Sequence, residues 1–277
     1  MDVSFADGTT VPALGIGTYR MGETPAARDR EVSIIAQALD LGVRVVDTAE
    51  MYASGGAERV VGAALRGGRR ERAFIVSKVL PTNASRRGVI AACERSLGRL
   101  AIDRIDLYLL HWRGATPLAE TIEAFECLAA DGKIARWGVS NFDVEDMQEL
   151  AGAPQGLNCA ADQVYYSLSR RGIEFDLLPW LANRATPVMA YCPLDEGRLL
   201  GDRTLAQIAR KHHAGAAQVA LAWLLGRPGV IVIPKVGSSE HLRENVAAQE
   251  LKLDADDLVL IARHWPPPAR KQRLAVV

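Results

Sequence analysis

The 277-residue chain has no apolar run approaching the roughly 18 residues of a membrane span. Residues Met1 to Gly8 hold no basic segment followed by an apolar core, so they do not read as a signal peptide. None of Cys93, Cys127, Cys159 and Cys192 lies in a Cys-x-x-Cys pair; all four are expected as reduced, mostly buried thiols of a cytoplasmic protein. Charge of one sign is missing too. Lys plus Arg total 33 and Asp plus Glu total 33, so nothing favours nucleic acid or an anionic membrane as partner. No Gly-x-Gly-x-x-Gly follows a strand, and Gly15-Ile16-Gly17 is too short to be that signal, so a Rossmann dinucleotide site is not indicated.

What is present is an ordinary soluble composition, 49% hydrophobic and 24% charged, able to bury a large core. Ser4 to Pro12 reads as a hairpin turning at Asp7-Gly8. A regular alternation follows. Short strands rich in Val, Ile and Leu are expected at 14–18, 43–47, 74–78, 105–111, 136–141, 161–165, 187–191 and 230–234. Helices are expected between and after them at 26–41, 58–65, 85–100, 118–130, 144–150, 175–183, 205–212, 216–225 and 240–248, with a last amphipathic helix at 254–264. Pro266-Pro267-Pro268 stops that helix.

Apolar strands alternating with helices imply parallel pairing buried on both faces. Eight such units suggest a closed (β/α)8 barrel, for which about 250 residues is typical, with an N-terminal β-hairpin and extra C-terminal helices. No linker or composition shift divides residues 1–277, so one domain is expected, with monomer as the default state. The cysteines recur every 32 to 34 residues, which is the beat of the strand–helix unit and not a sequence repeat.

A barrel of this kind forms its site at the C-terminal ends of its strands. Those ends deliver Gly17, Thr18 and Tyr19; Asp47 with Tyr52 just after it; Lys78; His111 with Trp112; Ser140 and Asn141; Gln163; Tyr191; and Lys235. Taken singly each has a plain structural reading. Lys78 would be a solvated strand end, His111 a hydrogen-bonded structural histidine, Asp47 a turn cap and Tyr52 a loop aromatic. Together they bring a carboxylate, a phenol, an ammonium and an imidazole to one mouth.

That set suits proton transfer at a carbonyl. A tyrosine of pKa about 10 is a poor acid at neutral pH. A neighbouring ammonium stabilises its phenolate and lowers that value. An aspartate keeps the lysine charged, and a histidine can hold the carbonyl oxygen. Ligands for a redox metal do not cluster, so a nicotinamide is the simplest hydride source. Ser140, Asn141 and Gln163 could bond its carboxamide, and Tyr191 offers a ring face.

On these residues the chain resembles the aldo-keto reductase family. The resemblance is carried by Gly17-Thr18-Tyr19, Asp47-Thr48-Ala49-Glu50-Met51-Tyr52, Val76-Ser77-Lys78, Asp106 to Trp112, Gly132 to Asn141, Tyr191-Cys192-Pro193-Leu194 and Ile233-Pro234-Lys235. Within the family it looks most like short bacterial reductases of small aldehydes and ketoaldehydes. The resemblance implies a TIM barrel binding extended NADPH and a tetrad of Asp47, Tyr52, Lys78 and His111, with Tyr52 as proton donor. It implies that Ser140, Asn141 and Gln163 hold the carboxamide and that Tyr191 stacks on the nicotinamide. Thr18, Tyr19 and Asp47 would line the reactive end, with Gly17 beside them. Pro193, Leu194 and Gly197 would follow the pyrophosphate, and Glu244 and Asn245 would meet the adenine.

One region departs from the family pattern. Relatives preferring NADPH carry Ser or Thr after the lysine and an Arg six residues beyond it; here Val236 and His241 stand in those places. Lys235 and the backbone at Gly237-Ser238 could still hold a 2′-phosphate. NADPH is expected to be preferred, with weakened discrimination against NADH, because an imidazole cannot grip phosphate bidentately as a guanidinium does. The tail after the prolines is short, so Tyr19, Met51, Tyr52, His111, Trp112 and the tail itself would wall a pocket for small carbonyls.

Three readings stay open. The first is a reductase of aldehydes and ketones, reversibly an alcohol dehydrogenase. The second is a lyase using Lys78 as a Schiff-base nucleophile. The third is a non-catalytic NADP(H)-binding sensor. A metal-dependent hydrolase has little support, since strand one ends without a His-x-His pair.

Overall fold

The computed structural model describes residues 1–277. Strands β1 (Asp2–Ser4) and β2 (Thr10–Pro12) form the antiparallel hairpin. Its turn works as the Asp7-Gly8 pair suggests: the Asp7 carboxylate accepts from the Thr9 N–H at 2.9 Å and Gly8 takes φ 83°. The hairpin closes the bottom of the barrel. Phe5 stacks on Phe74 at 5.4 Å, and Arg136 lies over both rings while pairing with Asp7 at 2.7 Å.

The chain then alternates as expected: β3 (Gly15–Gly17), α1 (Arg28–Asp40), β4 (Val45–Asp47), α2 (Gly56–Ala64), β5 (Phe74–Val79), α3 (Arg86–Leu100), β6 (Leu107–Leu110) and α4 (Leu118–Ala130). It continues through β7 (Trp137–Ser140), α5 (Val144–Gly152), β8 (Asp162–Tyr165), α6 (Leu177–Ala182), β9 (Val188–Tyr191), α7 (Arg203–Lys211), α8 (Ala216–Leu225), β10 (Val230–Val232), α9 (Ser239–Ala247) and α10 (Ala255–His264). Strands β3 to β10 pair in parallel in chain order. The ring closes where β3 meets β10: Leu14 bridges Val232, Gly17 bridges Lys235, and the Gly17 N–H donates to Pro234 O at 3.0 Å. A Cβ at Gly17 would lie 3.0 Å from the Ile233 carbonyl, so the seam is tightly closed there. No helix is long and apolar enough to cross a membrane.

Strand interiors are fully buried, and the apolar core runs as one cluster from Val3 to Ile261. Helix starts follow their side-chain caps. Ser85 caps α3, Asp202 caps α7, and Asp143 and Asp254 form capping boxes on α5 and α10. Several boundaries differ from the sequence reading. The fourth strand begins at Leu107 because the Asp106 carboxylate turns back to accept from the Ile75 N–H at 2.8 Å. Helix α6 is short: Asp176 caps Leu177, leaving Phe175 exposed before it. A 3-10 segment, Asp195–Gly201, follows β9 where no element is expected. All four thiols are free; Cys93 and Cys159 are buried as expected, while Cys127 and Cys192 are half-exposed.

Asp162 opens β8 with no exposed surface, and neither carboxylate oxygen has a hydrogen-bond partner. Burial is the largest influence on it; the nearby Phe142 backbone, too poorly placed to complete a hydrogen bond, opposes that, the Asp146 and Asp143 carboxylates add to it, and its pKa stands well above the ordinary 3.8. The folded chain therefore keeps a proton that the unfolded chain releases, so this group's effect on stability worsens as pH rises above the unfolded value. Asp162→Asn is expected to raise Tm at about pH 8, with the gain shrinking towards about pH 4. A loss of Tm at both pH values, measured by calorimetry, would contradict this.

Candidate active site

Lys78 lies one residue before the end of β5 and is 1% exposed, so the reading of it as a solvated strand end does not hold. Its ammonium donates to Asp47 Oδ2 at 2.8 Å, to the Thr48 carbonyl at 2.9 Å and to the Tyr52 phenol oxygen at 3.2 Å. Three donors meet three acceptors. Burial lowers the Lys78 pKa and Asp47 opposes that. With every proton engaged, the amine has no free lone pair, and the Schiff-base reading gains nothing from the geometry.

Asp47 ends β4 and is 3% exposed. Its second oxygen accepts from Gln163 Nε2 at 2.8 Å, so the carboxylate is fixed from both sides. The backbone of β4 runs on beyond the strand: the Thr48 N–H donates to Val76 O at 2.9 Å and the Glu50 N–H to Lys78 O at 3.3 Å. That continuation turns the chain across the mouth and places Tyr52 over Lys78, whose ammonium lies 4.8 Å from the phenol ring.

Tyr52 meets Tyr19 edge-on at 5.4 Å and His111 edge-on at 5.8 Å. Burial, then the Asp47 carboxylate, push the Tyr52 phenol well above its ordinary value. This differs from the expectation that Lys78 leaves the phenol more acidic. The physical reason is that Asp47 balances the Lys78 charge while desolvation acts on the phenol unopposed. The resting tyrosine is thus firmly protonated, with an ammonium placed to stabilise phenolate once it forms. His111 is 7% exposed, and burial together with Lys78 depresses its pKa to about 3. It is a neutral imidazole, and its Nδ1 has no partner in the chain.

The groups expected around a carboxamide gather beside this centre. Ser140 Oγ donates to Gln163 O at 2.8 Å. Asn141, at φ 60°, donates to the His111 carbonyl at 3.1 Å and accepts from the Tyr191 hydroxyl at 2.7 Å. The Gln163 amide nitrogen is committed to Asp47, which no spacing in the sequence signals. Tyr191 packs against Tyr165 at 5.3 Å. Thr18 donates to Asp47 O at 2.9 Å and is fully buried. Tyr19, Met51 and Trp112 stand 48%, 40% and 38% exposed, as walls of an open mouth. The tail residues Lys271 to Ala275 line a cleft of about 210 Å³ with Tyr165 and Arg170.

The more distant positions are divided. In the loop after β9, Cys192, Asp195 and Glu196 take φ of 48°, 49° and 56°, and Gly197 takes 90°. Pro193 is buried there and Leu194 half-buried. After β10, Lys235, Gly237, His241 and Glu244 are exposed, whereas Val236 and Asn245 are buried. The Val236 side chain belongs to the core. Ser238 Oγ caps α9 by accepting from the His241 N–H at 3.2 Å.

A profile of the aldo/keto reductase family matches residues 13–266. The chain belongs to the aldo/keto reductase family. It is 48% identical to methylglyoxal reductase YeaE of Escherichia coli K12, over 99% of this chain and 98% of that protein. It is 33% identical to the glyoxal reductase of Bacillus subtilis 168, over 92% and 90%. Among solved structures, an aldo/keto reductase from Klebsiella pneumoniae in complex with NADP and acetate superposes with a TM-score of 0.97 at 49% identity, covering 100% of this chain and 99% of that one. These findings bear out the reductase family and the (β/α)8 barrel read from the sequence.

The electrostatics of this reductase-family mouth give a direct check. His111 is expected to stay neutral from about pH 5 to 8, its ring resonances flat across that window. A midpoint near 6.5 for His111 would contradict the burial argument.

Proposed function

We propose that this chain is an NADPH-dependent reductase of small aldehydes and ketoaldehydes that runs in reverse as an alcohol dehydrogenase. The observation that carries the proposal is the 3.2 Å contact between the Lys78 ammonium and the Tyr52 phenol, made beside a neutral His111 in an open mouth. The names of the relatives support it, since they are reductases of methylglyoxal and glyoxal. A Klebsiella pneumoniae aldo-keto reductase at 49% identity in complex with NADPH supports the cofactor.

The residues fit a nicotinamide on this chain's own chemistry. The side-chain amide oxygen of Gln163, Oε1, accepts no hydrogen bond inside the chain, while its amide nitrogen is held by Asp47 and its backbone carbonyl by Ser140 and Asn141. Bound NADPH supplies the hydride. His111 donates one ring N–H to the carbonyl oxygen and holds it towards Tyr52. Tyr52 gives its proton to that oxygen as negative charge develops there. Lys78 stabilises the phenolate left behind, and Asp47 keeps Lys78 an ammonium throughout. In the reverse direction the phenolate takes the proton from an alcohol.

Two measurements test this. Tyr52→Phe is expected to lower kcat with a small aldehyde by at least ~10²-fold, with NADPH binding retained by fluorescence. Wild-type turnover in that variant would remove the proton-donor role. The cofactor reading rests on Lys235 and the backbone at Gly237-Ser238, with His241 where relatives carry arginine. His241→Arg is expected to raise the ratio of kcat/KM for NADPH over NADH about tenfold, the worth of one charge-assisted bond. Equal or better efficiency of the wild type with NADH would remove the NADPH preference.

A further inference from the structure

Tyr52 opens a loop whose backbone few residues favour. Ala53 and Ser54 take φ of 50° and 51°, and Gly55 follows at 83°. Left-handed residues bearing a Cβ are disfavoured and persist only where the surroundings over-determine them. The surroundings do so on both sides of Tyr52. Before it, the Glu50 carboxylate accepts from the Leu80 N–H at 2.8 Å and from Asn83 Nδ2 at 2.9 Å. After it, Glu58 in the first turn of α2 has no exposed surface at all.

Glu58 joins three elements. Oε1 accepts from Ser77 Oγ at 2.7 Å, and Oε2 from Arg99 Nε at 2.5 Å. Arg99, on α3, also donates to Ser96 Oγ at 3.1 Å. Its stem lies so close over Gly55 that a Cβ there would sit 2.4 Å from Arg99 Cδ. Ser77 and Lys78 are neighbours on β5 facing opposite sides, one towards α2 and the other into the mouth. One carboxylate thus holds the strand that carries the lysine, while its arginine partner presses on the loop that carries the tyrosine. A glutamate in a first helical turn ordinarily faces solvent and complements the helix dipole, so this use of Glu58 is invisible in the sequence.

We propose that Glu58, Arg99 and Ser77 form a positioning clamp that sets the separation of Lys78 Nζ from the Tyr52 phenol, and with it the rate of proton donation. The clamp contacts neither mouth nor ligand and acts through Tyr52; it rests on the reductase reading above. The competing role is purely structural, a buried ion pair that packs α2 against β5.

Glu58→Gln separates the two, because it keeps the shape and removes the charge that holds Arg99. The readouts are NADPH affinity by fluorescence, kcat and KM for a small aldehyde, and the solvent deuterium isotope effect on kcat. The clamp predicts a tenfold to hundredfold fall in kcat, the scale of an ångström-sized misplacement. NADPH affinity and aldehyde KM should change by less than about twofold, and the isotope effect should grow as proton transfer becomes limiting. A folded Glu58→Gln variant with wild-type kcat and isotope effect overturns the clamp, even if its Tm falls. Where that variant does not fold, Ser77→Ala removes a single neutral bond. It should lower kcat about threefold with the same rise in isotope effect, and no change in either overturns the clamp. A wild type that consumes no NADPH with any aldehyde removes the reductase reading and the clamp with it. A wild type that turns over beside an unaffected variant removes the clamp alone.

Discussion

The ion pair between Lys78 and Asp47 is the contact on which the mouth of this barrel depends. Taking two such charges out of water costs several kcal/mol per ion, and their mutual attraction offsets this only when the remaining donors and acceptors are also met. Here they are met. Lys78 spends its other two protons on the Thr48 carbonyl and the Tyr52 phenol, and Asp47 spends its other oxygen on Gln163. Thr48 and Tyr52 lie in the loop after β4, and Gln163 lies on β8. The pair therefore joins β4, β5 and β8 across the barrel, and its satisfaction fixes the phenol in the same stroke.

The rigidity of the frame explains why strain collects where it does. Eight short strands, buried on both faces, leave little freedom in the barrel wall. Left-handed backbone is concentrated instead in the connections at the mouth: Ala53 and Ser54 after β4, Asn141 after β7, and Cys192, Asp195 and Glu196 after β9. Residues held in such conformations mark places where geometry is imposed by the surroundings rather than preferred by the chain. In the first two loops the imposed geometry serves a specific group. It sets the Tyr52 phenol over Lys78, and it sets Asn141 between the His111 carbonyl and the Tyr191 hydroxyl.

Much of this is legible in the sequence, for physical reasons that also mark the limit. Strands buried on both faces read as short Val- and Ile-rich runs, so the eight-unit rhythm is plain, and helices such as Leu118–Ala130 and Ala216–Leu225 are read to the residue. Side chains at strand ends can be gathered to one mouth because parallel strands put all their C-termini together. Contacts between side chains distant in sequence cannot be read this way. The Gln163–Asp47 bond spans 116 residues, and nothing in either neighbourhood announces it. Val236 is read as a cofactor contact by position, and its side chain is in the core between the exposed Lys235 and Gly237, a burial that no spacing in the sequence signals. Glu58 is missed outright, since burial of a carboxylate is a property of three packed elements and not of its own helix.

The charge balance of the mouth is the last link between packing and chemistry. Asp47 and Lys78 cancel, Tyr52 is kept protonated by desolvation, and His111 is kept neutral by burial beside an ammonium. The resting centre therefore carries no net charge in a poorly solvated place, where any uncompensated charge would be expensive. On the proposed reading, a reaction that creates one negative charge on a carbonyl oxygen would meet two uncharged donors, Tyr52 and His111, and a cation one hydrogen bond behind the phenol. Lowering the phenol's pKa in the resting state would spend that advantage early, because a phenolate formed before the carbonyl needs its proton is a base and not an acid. The upward shift of Tyr52 is thus compatible with proton donation. The ammonium has its effect in the transition state, where the charge moves onto the phenol, and it has little to stabilise before then.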